Sequence, residues 1–332
     1  MNNKKYENLD GMRAYACLAI VLMHVMGNGY MDLSGFVFEK VIHSFTYFTL
    51  FFMEISAFSM CCGYFERIRD GSIRIDQFYK RRYEKVWPFF AILCTIELIL
   101  EHSLNSLYEW FADLTLVFGL IPNNSISVVG VGWFLGTIFV FYMIFPFFTV
   151  IIKNTRNAWL VLIASIILHL LCDIRFADAA NKGNIIYSSM FFVSGGVIYL
   201  YREKLQKFKA SIVALIVVAL AVGFLLVNDS YYMMLLLFTA LLVLGIVGNG
   251  KVSVILFRNK TVCFIGSISM EIYLCHMFVY RLIEKMKLTV LFQNRILNYI
   301  LVSVGTIFGA IILSIVLKKL IVFIERKTPR AV

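Results

Sequence analysis

Of 332 residues, 61% are hydrophobic and only 15% charged, against about 25% charged in a soluble domain. A net charge of +11 could suit nucleic acid, but the lysines and arginines cluster at the ends of apolar segments, as membrane topology requires, and that excludes a nucleic-acid partner. The seven cysteines lie in or beside apolar segments, with neither metal-ligand spacing nor a disulfide framework, so no metal site is expected.

Apolar stretches long enough to cross a bilayer recur near 12–30, 42–64, 86–103, 131–152, 157–174, 185–201, 209–228, 232–248, 261–280 and 296–320. They predict an all-α polytopic membrane protein of about ten spans, a single domain over 1–332 with no soluble part. The first segment opens Leu9-Asp10-Gly11-Met12-Arg13 and reaches His24. At about 100° per residue Arg13 and His24 share one helix face, roughly 16 Å apart along the axis. Arg13 can then stay at the membrane surface while His24 is held inside, where an ionisable group is costly and points to function.

Glu54 interrupts the second span within Leu50 to Phe58. It needs a partner, and His24 or Arg13 would serve if the first two helices pack together; a structural hydrogen bond is the other reading. Before the third span, Arg81, Arg82 and Lys85 make one cationic helix face. Such a face can hold the phosphates of a nucleotide-like cofactor or merely anchor topology against anionic lipid.

The piece 107–121 barely reaches across 30 Å of hydrocarbon, and the charges decide its place. Left out of the membrane, it puts 24 of the 31 basic residues on the N-terminal side; counted as a span, it divides them 16 to 15. The first arrangement predicts both termini in the cytoplasm and 107–121 as a short non-spanning outer helix, re-entrant or on the surface. Arg281, Lys285, Lys287 and Arg295 then face outward, to snorkel or to bind an anionic substrate. Trp133 opens the fourth span as an aromatic belt residue or a sugar-stacking surface, and Tyr142 punctuates it. The almost featureless spans 209–228 and 232–248 are expected to face lipid. In the ninth span Tyr273 and His276, three apart, can line one surface, although an intramembrane histidine also serves helix packing.

Taken together, these motifs resemble the acyltransferase-3 family of integral membrane acyltransferases, which modify bacterial surface polysaccharides. Leu9 to Arg13 with His24 reproduces the family's opening, and Phe52 to Phe58 echoes its second-helix motif with Ala57 for a glycine. Arg81, Arg82 and Pro88 match the third helix, Trp133-Phe134-Leu135 with Tyr142 and Pro146 the fourth span, and Ser269 to His276 the C-terminal motif. The departures are Lys85 for the second arginine of an Arg-x-x-Arg pair, Met270 for a tyrosine, and Ile138 for a glutamate of one branch. The resemblance implies an O-acetyltransferase of the bacterial plasma membrane, with acetyl-CoA as donor, a surface glycan or its lipid-linked precursor as acceptor, and no metal. It implies His24 as base or acyl carrier, with Arg13 as the second catalytic residue, at the membrane surface, helping to hold the donor's phosphates. Arg81, Arg82 and Lys85 would bind the donor, while Asp10, Glu54, Trp133, Tyr142, Tyr273 and His276 would bind or orient substrate. A polysaccharide or acyl-group exporter would share the polar helix face, but it would release no CoA thiol.

Overall fold

The computed structural model describes residues 6–29, 31–101, 103–116, 118–120, 130–176, 180–227 and 229–327, and all regular structure among them is helical. The helices are α1 (Asn8–Asn28), α2 (Phe48–Arg69), α3 (Ile75–Glu101), α4 (Leu104–Leu114), α5 (Trp133–Ile151), α6 (Thr155–Arg175) and α7 (Ile185–Leu205). They continue with α8 (Ala210–Leu226), α9 (Tyr231–Val247), α10 (Lys251–Phe257), α11 (Lys260–Ser267), α12 (Ser269–Lys285) and α13 (Arg295–Lys327). A π-helical turn (Val37–Ile42) and a 3-10 turn (Phe45–Tyr47) lead into α2.

Six helical stretches are long and apolar enough to cross a membrane, and eight if the bent pairs α9/α10 and α11/α12 each count as one. The remaining expected spans correspond to α3, whose first half is charged, and to α8, which has 17 residues. Asp10 near the chain's start and Lys318 and Val322 near its end line one cavity, so both lie at the same end of the bundle.

Helix α1 is the axis of the bundle and packs against α2, α9, α11, α12 and α13. On its far side α2 lies against α7, and the fit depends on Gly195, where a Cβ would stand 2.3 Å from the Glu54 carbonyl oxygen. A close backbone approach of this kind is how small residues join membrane helices. α4 folds back along α3: Trp110 Nε1 donates to Thr95 Oγ1 (3.1 Å) and Trp87 Nε1 to the Leu114 carbonyl (2.9 Å). Eleven residues cover only about 16 Å, half a bilayer core. α4 is therefore too short to span by itself, as expected of 107–121; positions 117 and 121 lie outside the described residues.

One expectation fails. α8 is mostly exposed, but α9 buries Met234, Leu237, Phe238, Leu242 and Ile246 against α2 and α7. Lipid and protein interior are equally apolar, so a uniformly hydrophobic helix does not announce which of them it faces. All seven cysteines are free.

Candidate functional site

The α1 backbone comes close to α11 because residue 266 is glycine: a Cβ there would lie 1.8 Å from the Asp10 carbonyl oxygen. Around this contact α1, α2, α3, α5, α12 and α13 enclose a cavity of about 630 Å3. Its open end holds Arg13, Arg82, Lys85 and Lys318 together with Asp10, Glu84 and Glu271. Asp10 is taken by Arg13 (2.8 Å), Glu271 by Lys318 (2.7 Å), and Glu84 lies 3.9 Å from Lys80. Arg13 also donates to Ser59 Oγ (2.6 Å). Arg82 donates to the Tyr64 hydroxyl (2.7 Å), and its guanidinium lies over the Tyr64 and Tyr142 rings at 4.8 and 6.0 Å. Arg82 and Lys85 therefore bring positive charge to this end with no carboxylate in contact among the described residues, a setting for phosphate.

Phe134 and Tyr273 close the cavity's inner end, their rings 5.6 Å apart. The Tyr273 hydroxyl donates to the Val131 carbonyl (2.7 Å), which pins the ring. Beyond it the His276 ring lies 5.9 Å from Tyr273, and the His24 ring 5.1 Å from His276. His276 Nδ1 sits 2.6 Å from the Tyr273 carbonyl. A carbonyl only accepts, so Nδ1 carries the proton and Nε2 keeps a lone pair. That Nε2 is buried and has no partner among the described residues. Two histidines from helices far apart in sequence thus meet one ring layer past the cavity.

The acyltransferase domain model of the acyltransferase-3 family matches residues 6–316. The chain belongs to the acyltransferase-3 family. It is a membrane acyltransferase by that membership. No curated protein and no solved structure matches it with significance.

The remaining expected site residues of this acyltransferase divide between its two ends. Arg81 is exposed and does not line the cavity, because one residue before Arg82 is a rotation of about 100° away. Tyr142 stands beside Arg82 at the open end, not near His24. Glu54 meets neither Arg13 nor His24: its Oε1 accepts from Ser194 of α7 (2.6 Å) and Thr239 of α9 (2.9 Å), on the face of α2 turned away from the cavity. Trp133 lies outside the cavity, its ring 5.7 Å from Lys182 Nζ. His169 stacks on Tyr187 at 3.9 Å and bonds its carbonyl, a packing role. Sequence reasoning missed Tyr64, Ser59, Glu271, Lys318 and Lys182. Glu271 was legible as a carboxylate in an apolar helix, and its partner only from the fold.

Proposed function

We propose that the chain is an O-acyltransferase of the bacterial plasma membrane that moves an acetyl group from acetyl-CoA to a hydroxyl of a surface polysaccharide or its lipid-linked precursor. The observation that carries this reading is the cavity leading from Arg82 and Lys85 to the aromatic layer beneath the His24 and His276 pair. The end of the bundle where Asp10, Lys318 and Val322 line the cavity is the one to which the topology count assigns most of the basic residues, which supports a cytoplasmic position, where acyl-CoA is found. There Arg82 and Lys85 hold the phosphates of the donor as charged, geometrically directed contacts. Arg13, tied to Asp10 and Ser59, shapes the same end and adds charge to it.

The pantetheine arm runs along the cavity toward Tyr273. His24 takes the proton of the acceptor hydroxyl as general base. The hydroxyl oxygen bonds to the thioester carbonyl carbon, the carbon–sulfur bond breaks, and the leaving sulfur receives the proton from His24, giving ester and free thiol. His276 is a positioning residue: its ring lies 5.1 Å from that of His24, and a small approach would let its bare Nε2 accept the His24 N–H, leaving the second His24 nitrogen free as base.

The test is His24→Ala, read as surface-glycan O-acetylation in cells with membrane abundance measured in parallel, and as thiol release from acetyl-CoA by the reconstituted protein. Loss of both at normal abundance is expected. Unchanged acetylation at normal abundance would falsify the assignment. His276→Ala is expected to lower turnover with little change in the Michaelis constant for acetyl-CoA, and a change in that constant alone would remove its positioning role.

A further inference from the structure

At the end of the bundle opposite the donor cavity, two of the basic residues expected to face outward have carboxylates of their own. Arg281 is paired with the buried Glu97, and Arg295 with Asp32 (2.6 Å). Lys182 is different. It lies shortly before α7, where residues 181–184 are tied down by hydrogen bonds. Asn181 Oδ1 accepts from the Gly183 amide (2.9 Å), the Gly183 carbonyl accepts from Thr137 Oγ1 of α5 (3.0 Å), and Asn184 caps α7. The half-buried Lys182 side chain therefore points into the bundle, not into solvent. Its ammonium donates to the Thr46 hydroxyl and carbonyl, the latter at 3.2 Å, and sits 6.0 Å from the Tyr47 ring and 5.7 Å from the Trp133 ring. It is within electrostatic reach of His24.

Among the described residues no carboxylate pairs with this ammonium. An ammonium has three donors, and Thr46 receives two of them. Withdrawing a cation from water without an anion is costly, and two aromatic faces offset that only in part. The arrangement, an aromatic face beside a cation with one donor to spare, is the chemistry that holds a sugar ring bearing an acidic group. We infer that Lys182 and Trp133 anchor the acceptor by an anionic oxygen group of its sugar, a uronate carboxylate or a sugar phosphate, on the side of His24 opposite the donor. The inference rests on the acyltransferase reading for what the bound sugar is used for, but the binding itself does not.

The test is ligand-observed saturation-transfer NMR on the full chain in lipid nanodiscs, with methyl glucuronide, glucose 1-phosphate and methyl glucoside as probes. At least one anionic probe is expected to bind ten times or more tighter than methyl glucoside, and the stronger of the two identifies the acidic group. Lys182→Met abolishes that preference, Lys182→Arg keeps it, and Lys40→Met, the same charge change at an exposed outer position, leaves it intact. Equal binding of all three probes, no binding by the wild type, or an unchanged preference in a folded Lys182→Met protein each overturns the proposal. Should Lys182→Met fail to fold, Lys182→Gln takes its place with the same criterion. Thiol release from acetyl-CoA, measured on the same preparations, fails separately if the donor reading is the one at fault.

Discussion

Replacing Gly266 with alanine puts a methyl carbon 1.8 Å from the Asp10 carbonyl oxygen. Real Cβ contacts do not fall below 3.0 Å, so α1 and α11 must part by about 1.2 Å, and both atoms in conflict are tied to backbone, which cannot swing aside. Overpacking of this order costs about 1–3 kcal/mol. The larger effect is on catalysis. The shift carries Asp10 and the Arg13 it holds away from the start of α12, and a misplacement near 1 Å can cost about 100-fold in rate. The assay is glycan O-acetylation in cells expressing Gly266→Ala, normalised to the amount of protein in the membrane, with thermal unfolding of the purified chain alongside. The expected result is protein that still inserts, melts at a lower temperature, and acetylates at about one hundredth of the normal level. Gly63→Ala is the control, since nothing stands within 4 Å of its added carbon; alanine there stabilises the helix by about 0.5–1 kcal/mol. Full acetylation and unchanged melting in Gly266→Ala would refute the close helix contact on which the cavity's shape depends.

Arg82→Ala should raise the Michaelis constant for acetyl-CoA by about 10-fold to 100-fold with a smaller change in turnover, as expected for the loss of a charged hydrogen bond, while Arg81→Ala should change neither; equal effects from both would remove the distinction between the two arginines. Glu54→Gln should be tolerated, and Glu54→Leu should destabilise the chain by about 1–3 kcal/mol by leaving Thr239 without its acceptor, with activity per folded molecule preserved; a selective loss of activity in Glu54→Gln would return Glu54 to the site. Burial lowers the Lys182 ammonium to about 8, so the cation predominates below that pH and is lost above it. Binding of methyl glucuronide, whose carboxylate stays ionised throughout, should therefore weaken as pH rises through 8 and hold steady from 6 to 7.5. His24 on α1 and Tyr47 are the other titratable groups facing Lys182, and Lys182→Arg, which stays charged, should flatten the curve.

Much of this architecture is legible in the sequence because hydrophobic run length and basic flanks obey the bilayer directly. The shared face of Arg13 and His24 follows from helix periodicity alone, and the structure keeps both on α1 at the expected spacing. What does not follow is anything that depends on which helix comes next to which. Glu54 is plainly anomalous in sequence, yet its true partners, Ser194 and Thr239, look like ordinary polar residues 140 and 185 positions away. Arg81 and Arg82 are indistinguishable by composition, and only the rotation of α3 against the bundle separates them. Glu271 and Lys318 sit on different helices that pack together, so their mutual neutralisation, which leaves Arg82 and Lys85 as the free charges, is invisible beforehand. Lys182 lies in a short turn where no periodicity applies.

The layer formed by Phe134 and Tyr273 has a meaning for the membrane as well as for the reaction. On one side of it lies a wide, charged cavity; on the other lie two imidazoles and a lysine turn. Removing the two rings would open the cavity toward the imidazole pair and is expected to give protons a way further into the bundle. With them in place, Tyr273 tied to Val131 and Phe134 packed on Phe52, the charged cavity ends short of the imidazoles. The expected consequence is that a membrane storing an ion gradient carries this enzyme without leakage, as long as turnover displaces rings and not helices. Truncating either ring to alanine should show itself first as proton conductance in sealed vesicles.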